Sequence, residues 1–76
     1  MKVQTEEVEN GTKITVKASK DVAISVISSG KERIYLPNDF SSNSTYYVEE
    51  STVESSSTGF SIVHADPIDQ INVISS

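Results

Sequence analysis

An imidazole and carboxylates come together at one place in this chain, His64-Ala65-Asp66-Pro67-Ile68-Asp69. One ring beside two carboxylates could begin a metal site or a His–Asp proton relay. A metal needs further ligands and a relay needs a nucleophile, and the sequence sets neither next to this segment. It therefore reads as a solvated strand end, with no metal and no cofactor expected. Serine is abundant, yet there is no Gly-x-Ser-x-Gly elbow and a single His to serve as base. Gly11, Gly30 and Gly59 are isolated turn residues and form no phosphate cradle. No residue is expected to be catalytic, and the chain is not expected to be an enzyme.

The remaining chemistry is that of contact. Tyrosine offers an apolar ring with a polar tip, suited to stacking on a sugar or anchoring a protein. Tyr46 shares the inward side of its strand with Val48, which leaves Tyr35 and Tyr47 as the exposed rings. With Asn38 and Asp39 in a polar loop, and with His64, they make the expected binding set. The alternative role for these tyrosines is packing between subunits or over a sheet edge.

Charge narrows the partner. With 11 Asp and Glu against 6 Lys and Arg, the net charge of −5 argues against a phosphate backbone, so no nucleic acid is expected. Glu6, Glu7 and Glu9 form one acidic group and Glu49, Glu50 and Glu54 another. Were the strands that carry them neighbours, the negative face would suit a small acidic inhibitor that blocks a basic, nucleic-acid-binding partner by charge mimicry. The sequence has no secretory leader pattern and no run long enough to span a membrane, so no membrane insertion is expected. That is the pattern of synthesis in the cytoplasm, for a whole intracellular or virion protein or for an excised domain behind an added Met1.

These residues must be held by strands. Side chains alternate at period two from Thr12 to Ala18, and Asn10-Gly11 joins that segment to a weaker strand over Lys2 to Val8 as a hairpin. Val22 to Ser28 reads as a central strand. After Ser29-Gly30-Lys31 the chain returns over Arg33 to Leu36, with Ile34 and Leu36 inward and Arg33 and Tyr35 outward, and stops at Pro37. Phe40 is expected to plug one end of the core. Tyr46 to Glu50, Phe60 to Ala65 and Gln70 to Ile74 are further strands, and 50–58 reads either as a ragged edge strand centred on Val53, the favoured reading, or as a long loop. The expectation is one all-β domain over residues 1–76, a small antiparallel β-sandwich or flattened barrel of six or seven short strands.

The inward residues would be Ile14, Val16, Val22, Ile24, Val26, Ile34, Leu36, Phe40, Val48, Phe60, Ile62, Ile71 and Val73. Ala23, Ile27, Tyr35, Tyr47, Val63 and Ile74 then fall on the opposite faces, more apolar surface than a monomer needs to leave wet. A chain this short has a thin margin of stability and no Cys to staple it. The surplus is therefore read as a subunit interface, and a homo-oligomer is expected, with a trimer among the candidate states.

From Gly30 onward the pattern Gly30-Lys31, Ile34-Tyr35-Leu36-Pro37, Asp39-Phe40, Tyr46-Tyr47-Val48, Thr58-Gly59-Phe60-Ser61-Ile62 and Ile71-Asn72-Val73-Ile74 resembles phage tail-fibre and baseplate tip domains. It is also similar to the sandwich of H-type lectins, although the Trp usual in the last lectin strand is missing. The resemblance spans about the last two thirds of the chain. It implies a structural and recognition module, viral and virion-associated, in a trimeric or higher assembly. Its loops would meet a protein or a cell-surface carbohydrate.

Overall fold

The computed structural model describes residues 2–18, 22–36 and 44–75. Eight strands run through them: β1 (Lys2–Val8), β2 (Gly11–Lys17), β3 (Ala23–Ser28), β4 (Lys31–Tyr35), β5 (Ser44–Val48), β6 (Ser51–Ser56), β7 (Gly59–His64) and β8 (Gln70–Ser75). Among the described residues there is no helix, and so none long and apolar enough to cross a membrane. All pairing is antiparallel, in a five-stranded sheet of order β1-β2-β7-β6-β5 and a three-stranded sheet of order β4-β3-β8.

The first hairpin forms where Asn10-Gly11 predicts it, with Val8 opposite Gly11. Of the two readings of 50–58 the strand holds, as β6 (Ser51–Ser56), but it is not an edge. β6 pairs with β7 on one side and β5 on the other, and β5 takes the edge. With β6 included the described strands number eight, against the six or seven expected.

The core lies between the sheets. Ile14, Val16, Val53, Phe60 and Ile62 come from the larger sheet, and Val22, Ile24, Val26 and Tyr35 from the smaller sheet and its approach. Val48 and Ile71 are half-buried against this cluster. The expected inward set needs correction at β4. Tyr35 is buried, while Ile34 and Leu36 are 56% and 55% exposed. Three apolar residues in a row make period two uninformative there, and the longer tyrosine reaches a hydrogen-bond partner across the sandwich that Ile34 has no atom to meet. Val73 lies opposite Ile24 on edge strand β8 and stays exposed. Ala23, expected on the wet face, is buried. Phe40 lies outside the described residues.

Between β7 and β8 the chain changes sheets. Asp69 N–H donates to the Ile27 carbonyl (2.8 Å), Ser28 Oγ donates to the Pro67 carbonyl (2.6 Å), and Ser29 N–H donates to Asp69 Oδ2 (3.0 Å). These bonds hold the crossover against the β3–β4 turn, where Ser29 adopts φ 53. They satisfy backbone groups that a strand leaving its sheet would otherwise strand without partners.

Candidate functional site

Two features of this fold could carry function: a polar cluster inside one end of the sandwich, and an apolar patch on the outside of the smaller sheet. The polar cluster follows from register. β6 and β7 pair with Ser51 opposite His64, and both side chains point inward with Val53 and Ile62. Tyr35 descends from β4 in the facing sheet.

Its hydroxyl lies 2.6 Å from Ser51 Oγ, and Ser51 Oγ lies 2.7 Å from His64 Nδ1. All three side chains are buried, Tyr35 and His64 at 1% exposure each. His64 is therefore not a solvated strand end. Its alternation with Phe60 and Ile62 already placed it on the inner face, a signal the reading of segment 64–69 passed over. Exposed contact roles for Tyr35 and His64 are corrected by the same burial.

The chain of hydroxyls admits two proton arrangements. Either Tyr35 donates to Ser51 and Ser51 donates to Nδ1, or Nδ1–H donates to Ser51 and Ser51 donates to the Tyr35 oxygen. In both, His64 Nε2 is left over, buried and with no hydrogen-bond partner among the described residues. A serine beside an imidazole is also the pairing of a nucleophile with its base. Here, however, Ser51 Oγ is closed in between Tyr35 and His64 rather than presented to a substrate.

The bonds instead tie β4 to β6 and β6 to β7. Tyr35→Phe should cost about 1–2 kcal/mol, because it deletes one bond and leaves Ser51 with a partner fewer in a buried place. Urea denaturation of the two chains would read the loss, and equal midpoints would show that the hydroxyl chain contributes nothing.

Around this cluster the other expected residues disperse. Asp69 is taken by the Ser29 N–H, whereas Asp66 stays beside His64 and is joined there by Glu50 from the β5–β6 turn. Tyr47 is 81% exposed on edge strand β5. Tyr46, on the side facing the core, has its phenol pushed above its usual 10.0, first by burial and then by Tyr35. Asn38 and Asp39 lie outside the described residues. Of the two acidic groups, Glu6 and Glu7 lie on β1 with Glu9 in the turn after it, while Glu49 and Glu50 lie in the β5–β6 turn and Glu54 on β6; β2 and β7 separate the strands β1 and β6, although the two turns lie at the same end of the sheet. Glu49 is further committed to Arg33, 2.8 Å away.

The outer patch lies on the β4-β3-β8 sheet. Ile34 sits across from Ser25, and Leu36 shares its side of β4 by alternation. Ile74, 50% exposed, falls where the β3–β8 register slips between Ala23 and Ile24. Ala23 and Ser25 of the central strand are small and buried beside these larger side chains. Sequence reading put Ile34 and Leu36 in the core and so missed their share of the patch.

Taken together, fold and site define a small all-β module of two antiparallel sheets, closed by a buried Tyr–Ser–His chain and apolar on one outer face. Residues 1–55 match the model of a family of unknown function, DUF7510, and the chain belongs to that family. The matched segment reaches from β1 into β6 and so includes Tyr35, Glu50 and Ser51 but not His64 or Asp66. No curated protein and no solved structure matches the chain.

Proposed function

We propose that this protein is a non-enzymatic structural and recognition module that works as a small closed oligomer, assembling through the outer face of the β4-β3-β8 sheet. One observation carries the reading: Ile34, Leu36 and Ile74 are each half or more exposed on a three-stranded sheet whose central strand carries the small residues Ala23 and Ser25. Side chains of that kind gain most when removed from water, at about 25 cal/mol per Å². A second copy is the occupant this face suits, since a two-fold axis would set the same apolar patch of each chain against the other.

Ser25 Oγ, buried with no hydrogen-bond partner among the described residues, sits in the middle of the same face. Assembly by this sheet leaves the exposed Tyr47 edge of the other sheet free to meet a protein or a cell-surface carbohydrate, the contact expected of a tip domain. The acidic-inhibitor reading has less support, because β1 and β6, the strands that carry Glu6, Glu7 and Glu54, are separated by β2 and β7.

Light scattering or sedimentation at micromolar concentration tests this. The native chain should run as a dimer or other closed oligomer. Ile34→Lys should weaken association about tenfold or more while leaving the β-sheet circular dichroism unchanged, as expected for a charge placed in the centre of an interface. A native chain that stays monomeric at the highest soluble concentration would overturn the proposal.

A further inference from the structure

The polar end of the sandwich supports a second role, independent of the outer face. We propose that Glu50, His64 and Asp66 bind a divalent metal ion of the zinc class. Each of the three contributes a ligand atom, and these atoms lie within 4.8 Å of one another. The three come from separate pieces of chain: Glu50 from the β5–β6 turn, His64 from the last position of β7, and Asp66 from the start of the crossover. Backbone pairing brings them together. Ser51 faces His64 in the ladder, and Ala65 N–H donates to the Glu50 carbonyl at 2.9 Å. Glu50 itself sits at φ 64, a conformation that non-glycine residues seldom adopt.

Two carboxylates close together are common on protein surfaces and would not by themselves indicate an ion. The histidine is the independent observation. It is 1% exposed, its Nδ1 is held by Ser51, and its Nε2 is buried with no hydrogen-bond partner among the described residues. Buried ring nitrogens nearly always have a partner. When Nδ1–H donates to Ser51, the tautomer is fixed and Nε2 carries a lone pair, the arrangement by which proteins orient a metal-binding imidazole through its other nitrogen. Ser51 and Tyr35 would then be the outer support of the site.

One imidazole nitrogen and two carboxylate oxygens form a borderline donor set suited to zinc. Ligands about 2.1 Å from a tetrahedral ion stand about 3.4 Å apart. The three ligand atoms, now within 4.8 Å of one another, would draw together around a bound ion. Two carboxylates also match the ion's charge, and three protein ligands leave a fourth position for water. A bound ion would pin the β5–β6 turn to the crossover between sheets, stapling a chain that has no cysteine.

The test uses the full chain, stripped with a chelator and titrated with zinc chloride in a calorimeter and by NMR. His64 is the single histidine, so its ring nitrogens are read without ambiguity. One ion per chain should bind, the His64 Nε2 resonance should shift, and the unfolding temperature should rise with zinc concentration. Glu50→Gln and Asp66→Asn alter exposed or half-exposed side chains and should keep the fold. Each should weaken binding by about tenfold or more, at least the loss that follows removal of an outer-shell partner. No saturable binding up to millimolar zinc, binding that leaves the His64 nitrogens unmoved, or binding unchanged in both variants would overturn the proposal.

Discussion

Gly59→Ala should remove a large share of the molecule's stability. Gly59 opens β7 at φ +145, a conformation that side chains other than glycine's hydrogen rarely accept, and it lies directly against β2. A Cβ there would overlap the Val16 carbonyl oxygen and press on Lys17 Cα at 3.0 Å. These neighbours are backbone atoms of the paired strand, so no rotamer change relieves the contact. The cost combines backbone strain with a forced separation of β2 from β7, at least about 3 kcal/mol. A domain of this length has roughly 4–11 kcal/mol in total.

Gly30→Ala supplies the contrast. Gly30 also has positive φ, +77, but nothing lies within 4 Å of the added carbon, so the loss should be about 1–2 kcal/mol. Circular dichroism and urea denaturation of the two variants would separate conformational strain from collision. Equal stabilities would show that β2 and β7 do not approach as closely as described.

Ile62→Ala should cost about 2–5 kcal/mol, the range for truncating a fully buried aliphatic side chain. Ile62 is 0% exposed, lies opposite Ile14 on β2 and Val53 on β6, and belongs to the core cluster between the sheets. Ile34→Ala removes the same atoms from a residue 56% exposed and should change monomer stability by no more than about 0.5 kcal/mol. The comparison is sharp because alternation along the sequence assigns both isoleucines inward. If the two substitutions destabilise alike, the orientation of β4 is the one expected from sequence and the outer apolar patch disappears.

Most of the fold was legible in local pattern. Ile14 and Val16 alternate with Lys13, Thr15 and Lys17, so that strand's inner face can be read directly, and Asn10-Gly11 marks the hairpin before it. Ile34-Tyr35-Leu36 could not be oriented in that way, since each of the three is apolar enough to be buried. What decides it is Ser51, sixteen positions away, which meets the tyrosine hydroxyl. The site was hidden for a similar reason. His64 and Asp66 are close in sequence, but Glu50 and Ser51 reach them only through the β6–β7 ladder, whose register no local signal states. Asp69, further along the same segment, is diverted to the Ser29 turn. Gly11 and Gly59 look like ordinary turn glycines, yet each allows the β2 and β7 backbones to approach at one end of their pairing.

The central place of β7 has a consequence for how the molecule comes into being. During synthesis the first six strands leave the ribosome as local hairpins, each marginal by itself in water. β2 and β6 have no contact with one another until β7 slides between them, and β3 lacks its second neighbour until β8 arrives. Assembly must therefore wait for residues 59–75 and then close two long-range ladders together, a slow, high-contact-order step. Through that interval the future inner faces of β2 and β3 are open to whatever the nascent chain meets, and a protein that captures unfinished strands would find its substrate there.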